Sequence, residues 1–317
     1  MASTAQATET GQPVLRPPPL TGSEYDGAKN PLDPNMYDVD VGFFSAVTGI
    51  TDEEELKAHV LKAQAEAYAV HAYPCIRAFA FAHTKIDRFP VYRDILTLGK
   101  ERKGALFLDL GCGVGNDLRK VILDGFPSSQ VIGSDLHPDF WEIGHTLFRS
   151  TPESFPTKFV PGDVFDPTFL EPRHIVTSVP DGPQPDLESL TTLTPLVGRV
   201  SVIHTSAFFH LFNEERQEEL ARLVGSLLSP EPGSIICGAH AGQPQKGLRS
   251  EAWQAGQKSE DIRLFCHSPE SWKELWEKIF GVGKVEVSAM LKEIERRDLE
   301  KGEDVKVYFL VWSVKRL

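Results

Sequence analysis

The 317 residues carry 45 acidic against 33 basic side chains, a net charge of −12, with 41% hydrophobic and 25% charged residues. That balance disfavours nucleic acid, whose affinity rests on Lys and Arg contacts to phosphate; the longest basic cluster is Lys100-Glu101-Arg102-Lys103. No apolar run approaches the roughly 18 residues that span a bilayer, and the N-terminus lacks the basic start and apolar core of a secretory signal, so a soluble, cytoplasmic chain with no membrane partner is expected.

Residues 1–35 are rich in Pro, Gly, Thr and Ser, including Arg16-Pro17-Pro18-Pro19. Such a segment buries too little apolar area to offset its ordering entropy. It is either a disordered tail or an arm that folds over a ligand, with Tyr25 and Tyr37 in a lid. From Thr51 the pattern is helical: Thr51 as N-cap with Glu54 three residues on fits a capping box. Leu56, Val60, Leu61 and Tyr68 then share one helical face. Residues 73–98 are broken by Pro74 and Pro90 and dense in aromatics (Phe79, Phe81, Phe89, Tyr92). Residues 36–103 therefore read as a helical cap ahead of a main domain over 104–317.

After Lys103 strand and helix patterns alternate, the signal of a parallel sheet covered by helices. Strands are expected at 105–110, 130–135, 158–161, 199–205 and 234–239, and helices at 116–123, 138–148, 213–228 and 269–280. Two further strand-like runs, 284–290 and 305–314, are separated only by the charged segment 292–304. That is too short for a long crossover helix, so an antiparallel strand is expected there. Residues 164–199 form an insertion that starts with Pro-rich turns and ends in an expected short helix at 187–196. Long connections of this kind often rim a site.

The stretch FLDLGCGVGND (107–117) ends the first strand with Gly111, Gly113 and Gly115. In open α/β sheets ligands bind beyond the carboxyl ends of the strands, and glycine lets the backbone take positive φ and approach a ligand. The dinucleotide fingerprint needs a glycine where this chain has Asn116. Asp109 would also repel a pyrophosphate and suits a cationic group instead. Asp135 ends the second strand, where a carboxylate accepts from both hydroxyls of a ribose. Asp163, after the third strand, is placed to accept from an exocyclic amine such as that of adenine. Any one of these acids could instead be a turn former; three at matched strand ends favour a ligand with an amino acid, a ribose and an adenine.

With these features the chain resembles the class I S-adenosylmethionine-dependent methyltransferases from about Leu108 to its end. HTSAFFHLF (204–212), GAHAGQ (238–243) and FCHSPESW (265–272) are similar, more narrowly, to fungal natural-product O-methyltransferases acting on polyketide, meroterpenoid and other aromatic metabolites. The resemblance implies an α/β fold: a Rossmann-like seven-stranded, mostly parallel sheet with an antiparallel last strand, plus the N-terminal helical cap. It implies S-adenosyl-L-methionine as cofactor, held by Asp109, Gly111, Cys112, Gly113, Gly115, Asp135, Leu136, Asp163, Val164, Thr205 and Ser206.

His210 lies where that family places residues beside the reacting methyl group. It is a base, a hydrogen-bond partner of the acceptor, or an interior residue bonded to a backbone carbonyl. His83 is a second catalytic candidate, in the cap. Phe209, His240, Trp253 and Arg77 are candidate substrate contacts. Each has an ordinary reading as well: core packing for Phe209 and Trp253, an exposed Gly-rich loop for His240, a surface ion pair for Arg77. The four cysteines, Cys75, Cys112, Cys237 and Cys266, form no CxxC pair and read as free, buried or semi-buried thiols. The histidines form no metal-binding spacing, and no G-x-S-x-G turn is present. The expected partner is a small-molecule acceptor bound by a monomer or homodimer. Three rivals stand beside transfer to a phenol or carboxylate: an electrostatically catalysed rearrangement on the same cofactor, a non-catalytic binding protein, and a nicotinamide-dependent oxidoreductase.

Overall fold

The computed structural model describes residues 31–250, 263–294 and 306–317. Tyr25, Trp253 and the larger part of the N-terminal arm lie outside the described residues. Four helices precede the sheet: α1 (Val41–Thr48), α2 (Glu53–Val70), the short α3 (Pro74–Arg77) and α4 (Tyr92–Glu101). Asp52, not Thr51, caps α2, its carboxylate accepting the Glu55 N–H at 2.8 Å. The later start places Glu53, Glu54 and Glu55 in the first turn, where the helix dipole favours negative charge.

Then follow β1 (Leu106–Leu110), α5 (Asn116–Leu123), β2 (Val131–Asp135), α6 (Pro138–Leu147), β3 (Lys158–Pro161), β4 (Val200–His204), α7 (Glu214–Leu227) and β5 (Ile235–Gly242). A two-stranded ribbon of β6 (Gly247–Ser250) and β7 (Arg263–Cys266), which the sequence pattern misses, leads to α8 (Pro269–Phe280), β8 (Val285–Ile294) and β9 (Val307–Arg316). The seven-stranded sheet has the order β3-β2-β1-β4-β5-β9-β8. Its first five strands are parallel, and β9 runs antiparallel to both β5 and β8. Strand order reverses between β1 and β4, which opens a crevice at their carboxyl ends.

All five residues of β1 are buried, as a central parallel strand requires. Leu106, Leu108 and Leu110 share an apolar cluster with α7 and α8, while Phe107 joins Ile95 of α4, Leu118 and Val121 of α5 and Trp141 of α6. Helices thus cover both faces. The cap is joined to this body through α6: Phe44, Leu56 and Val60 share one cluster with Phe140, Ile143 and Leu147. Arg149 also donates to Glu55 at 2.6 Å.

Two expectations change here. The short helix at 187–196 is only a 3-10 turn at Thr194–Leu196. Buried Leu190, Leu193 and Leu196 recur every three residues, the period of a 3-10 turn and not of an α-helix. The Gly-rich loop expected from Gly238 to Gly247 is strand up to Gly242, because β9 pairs with β5 along its whole length. Of the cysteines, Cys112, Cys237 and Cys266 are buried and Cys75 is exposed.

The close approach of β5 to the chain leaving β4 depends on Gly238. A Cβ there would overlap the Thr205 carbonyl oxygen and press on the Trp312 ring at 3.0 Å. Gly238→Ala is expected to cost about 1–3 kcal/mol of stability, the range for overpacking, read as a lower urea midpoint with an unchanged slope. Among the described residues no helix is long and apolar enough to cross a membrane.

Candidate active site

Gly111, Gly113 and Gly115 all take left-handed φ, at 74°, 53° and 76°. Two of them do different work. The Phe208 ring, from the chain after β4, lies 3.2 Å from where a Gly111 Cβ would stand, whereas a Cβ on Gly113 would meet nothing within 4 Å. The turn is therefore closed against the β4 exit at one glycine and open at the next. Asp135 fixes it from β2: one carboxylate oxygen accepts the Gly113 N–H at 2.9 Å and the other the His137 N–H at 3.0 Å. Each oxygen keeps a second lone pair, and the residue is half-buried. Burial raises its carboxyl pKa, while those two amides oppose the shift.

Around Asp135 stand exposed Leu136 and three rings from two directions. His137 stacks on His71 at 5.7 Å, and Tyr73 lies 4.0 Å from His71. Burial, aided by the Asp135 charge, pushes the Tyr73 hydroxyl pKa up. The cap thus supplies a wall that sequence reading missed. After β3, Val164 is buried and exposed Asp163 accepts the Phe165 N–H through one oxygen at 2.9 Å, leaving the other open.

Asn116, which breaks the dinucleotide pattern, donates to the His83 carbonyl at 2.6 Å, and buried Asp117 accepts the Lys85 and Ile86 N–H groups. The start of α5 thereby clamps the cap to the glycine turn. Cys112 is buried beneath that turn, and burial raises its thiol pKa.

Asp109 is only 2% exposed, and its Oδ1 lies 2.7 Å from His204 Nδ1. The open carboxylate expected for a cationic ligand is instead half of a buried pair, with a residue 95 positions away. His204 Nε2 is 2.8 Å from Ser206 Oγ, which also accepts the Ala239 N–H at 3.2 Å. Thr205 is buried and bonds Cys237 through its backbone N–H.

The acceptor candidates separate. His210 is half-buried, and its Nδ1 accepts the Ala241 N–H at 3.1 Å, a backbone amide and not a carbonyl. Burial, with the Arg249 charge, lowers its pKa to about 4. His240 is not in an exposed loop: it sits in β5, 1% exposed, and accepts the Trp312 indole N–H at 3.0 Å. Phe209 is fully buried, edge-on to Trp272 at 4.9 Å, so it packs the core instead of lining a pocket. His83 faces Asp38 at 3.4 Å, and burial lowers its pKa. Arg77 donates to the Pro31 carbonyl at 3.0 Å. The structure sets the Phe208 ring against Gly111 and the Asp135 carboxylate against the Gly113 N–H, keeps Ser206 half-buried in the same exit from β4, and buries Phe209 and His240 in the core.

A family model described as a meroterpenoid methyltransferase N-terminal domain matches residues 28–82. The O-methyltransferase phiE of a fungal species is 32% identical over 74% of this chain and 68% of that protein. The asnovolin E/chermesin D methyltransferase nvfJ of Aspergillus novofumigatus is 34% identical over 71% of this chain and 70% of its own length. The chain belongs to the class I S-adenosylmethionine-dependent methyltransferases of fungal natural-product type.

Among solved structures, the DhpI–SAH complex superposes on this methyltransferase with a TM-score of 0.41 at 14% identity, covering 84% of this chain and 98% of that one. The family's cofactor is S-adenosylmethionine, and the residues fit it. When bound, it would have open space at Gly113, its ribose hydroxyls would find the remaining lone pairs of Asp135, and its adenine would have an apolar edge in exposed Leu136 and an acceptor in Asp163. Among the described residues of the methyltransferase no His, Cys, Asp or Glu group could hold a metal ion.

Proposed function

We propose that this methyltransferase acts on oxygen, a phenolic hydroxyl or a carboxylate, of a small aromatic or polyketide-type metabolite, by in-line methyl transfer. The observation that carries the reading is the exit of β4, where half-buried Ser206, Phe208 and His210 lie within five residues of one another, with the Phe208 ring against the glycine turn. An apolar ring against the glycine turn, with two half-buried polar side chains in the same exit from β4, suits alignment of a flat acceptor. The name of phiE as an O-methyltransferase and of nvfJ as an asnovolin E/chermesin D methyltransferase supports the reading.

His210 enters it as a donor. With Nδ1 occupied by a backbone N–H, the neutral ring carries its proton on Nε2 and has no lone pair left to take another. It can hold an acceptor oxygen but does not serve as its base. His210→Ala is expected to lower kcat/KM up to about tenfold on phenols and carboxylates alike, the worth of one neutral hydrogen bond.

Methyl-labelled cofactor with a panel of phenols and aromatic acids tests the proposal. Label is expected in a product, and its release by mild base identifies a methyl ester, its retention a methyl ether. Cofactor binding with no label in any product would overturn the reading in favour of a non-transferring protein.

A further inference from the structure

We propose that two copies of this chain pair through β8, edge to edge and antiparallel, so that their two sheets join across a two-fold axis at Ala289. The pairing is independent of which acceptor is methylated.

The sheet has two edges, and they are built differently. β3 is four residues long and ends in Pro161; a short strand and a proline both discourage pairing with another chain. β8 is ten residues long, holds no proline, and keeps one register with β9 from Val285 to Ile294. Among the described residues β8 is hydrogen-bonded on one side only, to β9. Every second residue of such a strand turns its N–H and C=O outward, where another strand can bond them.

The side chains show that the fitting strand is β8 itself. Glu286, Ser288, Met290 and Lys292 are exposed, whereas Val287, Ala289 and Leu291 are half-buried against the main apolar cluster. With the axis at Ala289, each Glu286 stands directly opposite Lys292 of the second copy, on the solvent side of the sheet. On the other side Val287 meets Leu291 of the second copy, which extends the apolar cluster across the junction. The axis carries only the methyl groups of the two Ala289 residues. Centred on Ser288, the pairing would set Lys284 against Lys292; centred on Met290, Glu286 would face Ile294. One register therefore satisfies charge and apolar pattern together.

No ion pair among the described residues uses Glu286 or Lys292. Lys315, opposite Glu286 in the β8–β9 ladder, donates to Asp94 at 2.8 Å, and Phe309 stands opposite Lys292. The adjacent Glu293 is held by Lys306 at 3.4 Å. Met290 is 48% exposed. In the chosen register it lies opposite Ser288 of the second copy, at the rim of a hollow that Phe89, Val91 and Val311 also line.

An exposed Glu–Lys pair adds little affinity; complementary charges fix register and exclude the wrong one. Strand hydrogen bonds and the covered apolar side chains hold the copies together. The same surface is used on both sides, so the contact closes at two copies. β9 and β5 lie between β8 and β4, which keeps both cofactor crevices away from the junction.

Sedimentation of the full-length protein tests the pairing. At about 100 μM and low salt the expected mass is twice 35.2 kDa. Glu286→Lys alone and Lys292→Glu alone each set like charges opposite one another, and each should weaken the dimer at least about tenfold. Mixed in equal amounts, the two variants should form a dimer again, because every Lys then faces a Glu. The double variant E286K/K292E should dimerise by itself. Both side chains are exposed, so the swaps leave the fold intact. Amide exchange in β8 should slow as the unaltered protein is concentrated, and should not slow in either single variant. A monomer at every concentration, single variants that dimerise as tightly as the parent, or a mixture that stays monomeric would each overturn the pairing.

Discussion

Lowering the pH from about 6.5 towards 4 is expected to unfold this methyltransferase through its histidines. His240 and His267 are 1% and 4% exposed in an aromatic cage, with ring centroids 4.6 and 5.2 Å from Trp272. Burial lowers the pKa of His267 and His210 to about 4, and that of His240 well below the ordinary value. The sign follows directly. Between the folded and unfolded values the unfolded chain binds the extra protons, so stability falls as pH falls. A shift from 6.5 to about 4 corresponds to roughly 3 kcal/mol for one buried histidine, set against a total stability of about 5–15 kcal/mol.

Asp109 and Asp135, whose carboxyl pKa values burial raises, act in the opposite direction and offset part of this. His204 does not enter the window, because its pKa is raised and its contribution is lost on alkalinisation. Urea midpoints followed by tryptophan fluorescence across the range measure the slope. His267→Gln, which keeps a polar partner for Ser271, should flatten it by about one proton. A midpoint constant from pH 6.5 to 4 would contradict the cage's role.

The second large effect is on the cofactor. Asp135→Ala should weaken S-adenosylmethionine binding by about 1–3 kcal/mol, the cost of losing a charged acceptor, which is roughly 5- to 150-fold in Kd. Part of that loss comes from the protein itself, since Asp135 also holds the Gly113 and His137 amides. Asp135→Asn separates the two contributions: one carbonyl oxygen remains to accept, and an intermediate loss is expected. Calorimetry that finds unchanged affinity for the alanine variant would remove Asp135 from the site.

Legibility followed the range of the interaction. The place of Asp135 at the end of β2, beside the glycine turn, is legible because a strand end, an acid and a glycine turn are local signals. Asp109 was read as a ligand contact from the same kind of signal. Its partner, His204, is 95 residues away, and nothing in the spacing announces that pairing. Asn116 was noticed only for the glycine it replaces; its bond to the His83 carbonyl reveals a clamp on the cap. His240 was misplaced because a Gly-Ala-His-Ala-Gly run looks like a loop until β9 pairs with it.

By itself the sequence determined the chain order of the seven sheet strands and the glycine turn, because periodicity and turn chemistry act over a few residues, and its motifs carried the resemblance to the family. Tertiary structure alone decided which polar groups face the crevice and which are sealed behind it. Burial and pairing depend on strands brought side by side, and one neighbouring strand turns His240 from a loop residue into core and Asp109 from an open strand-end acid into half of a buried pair.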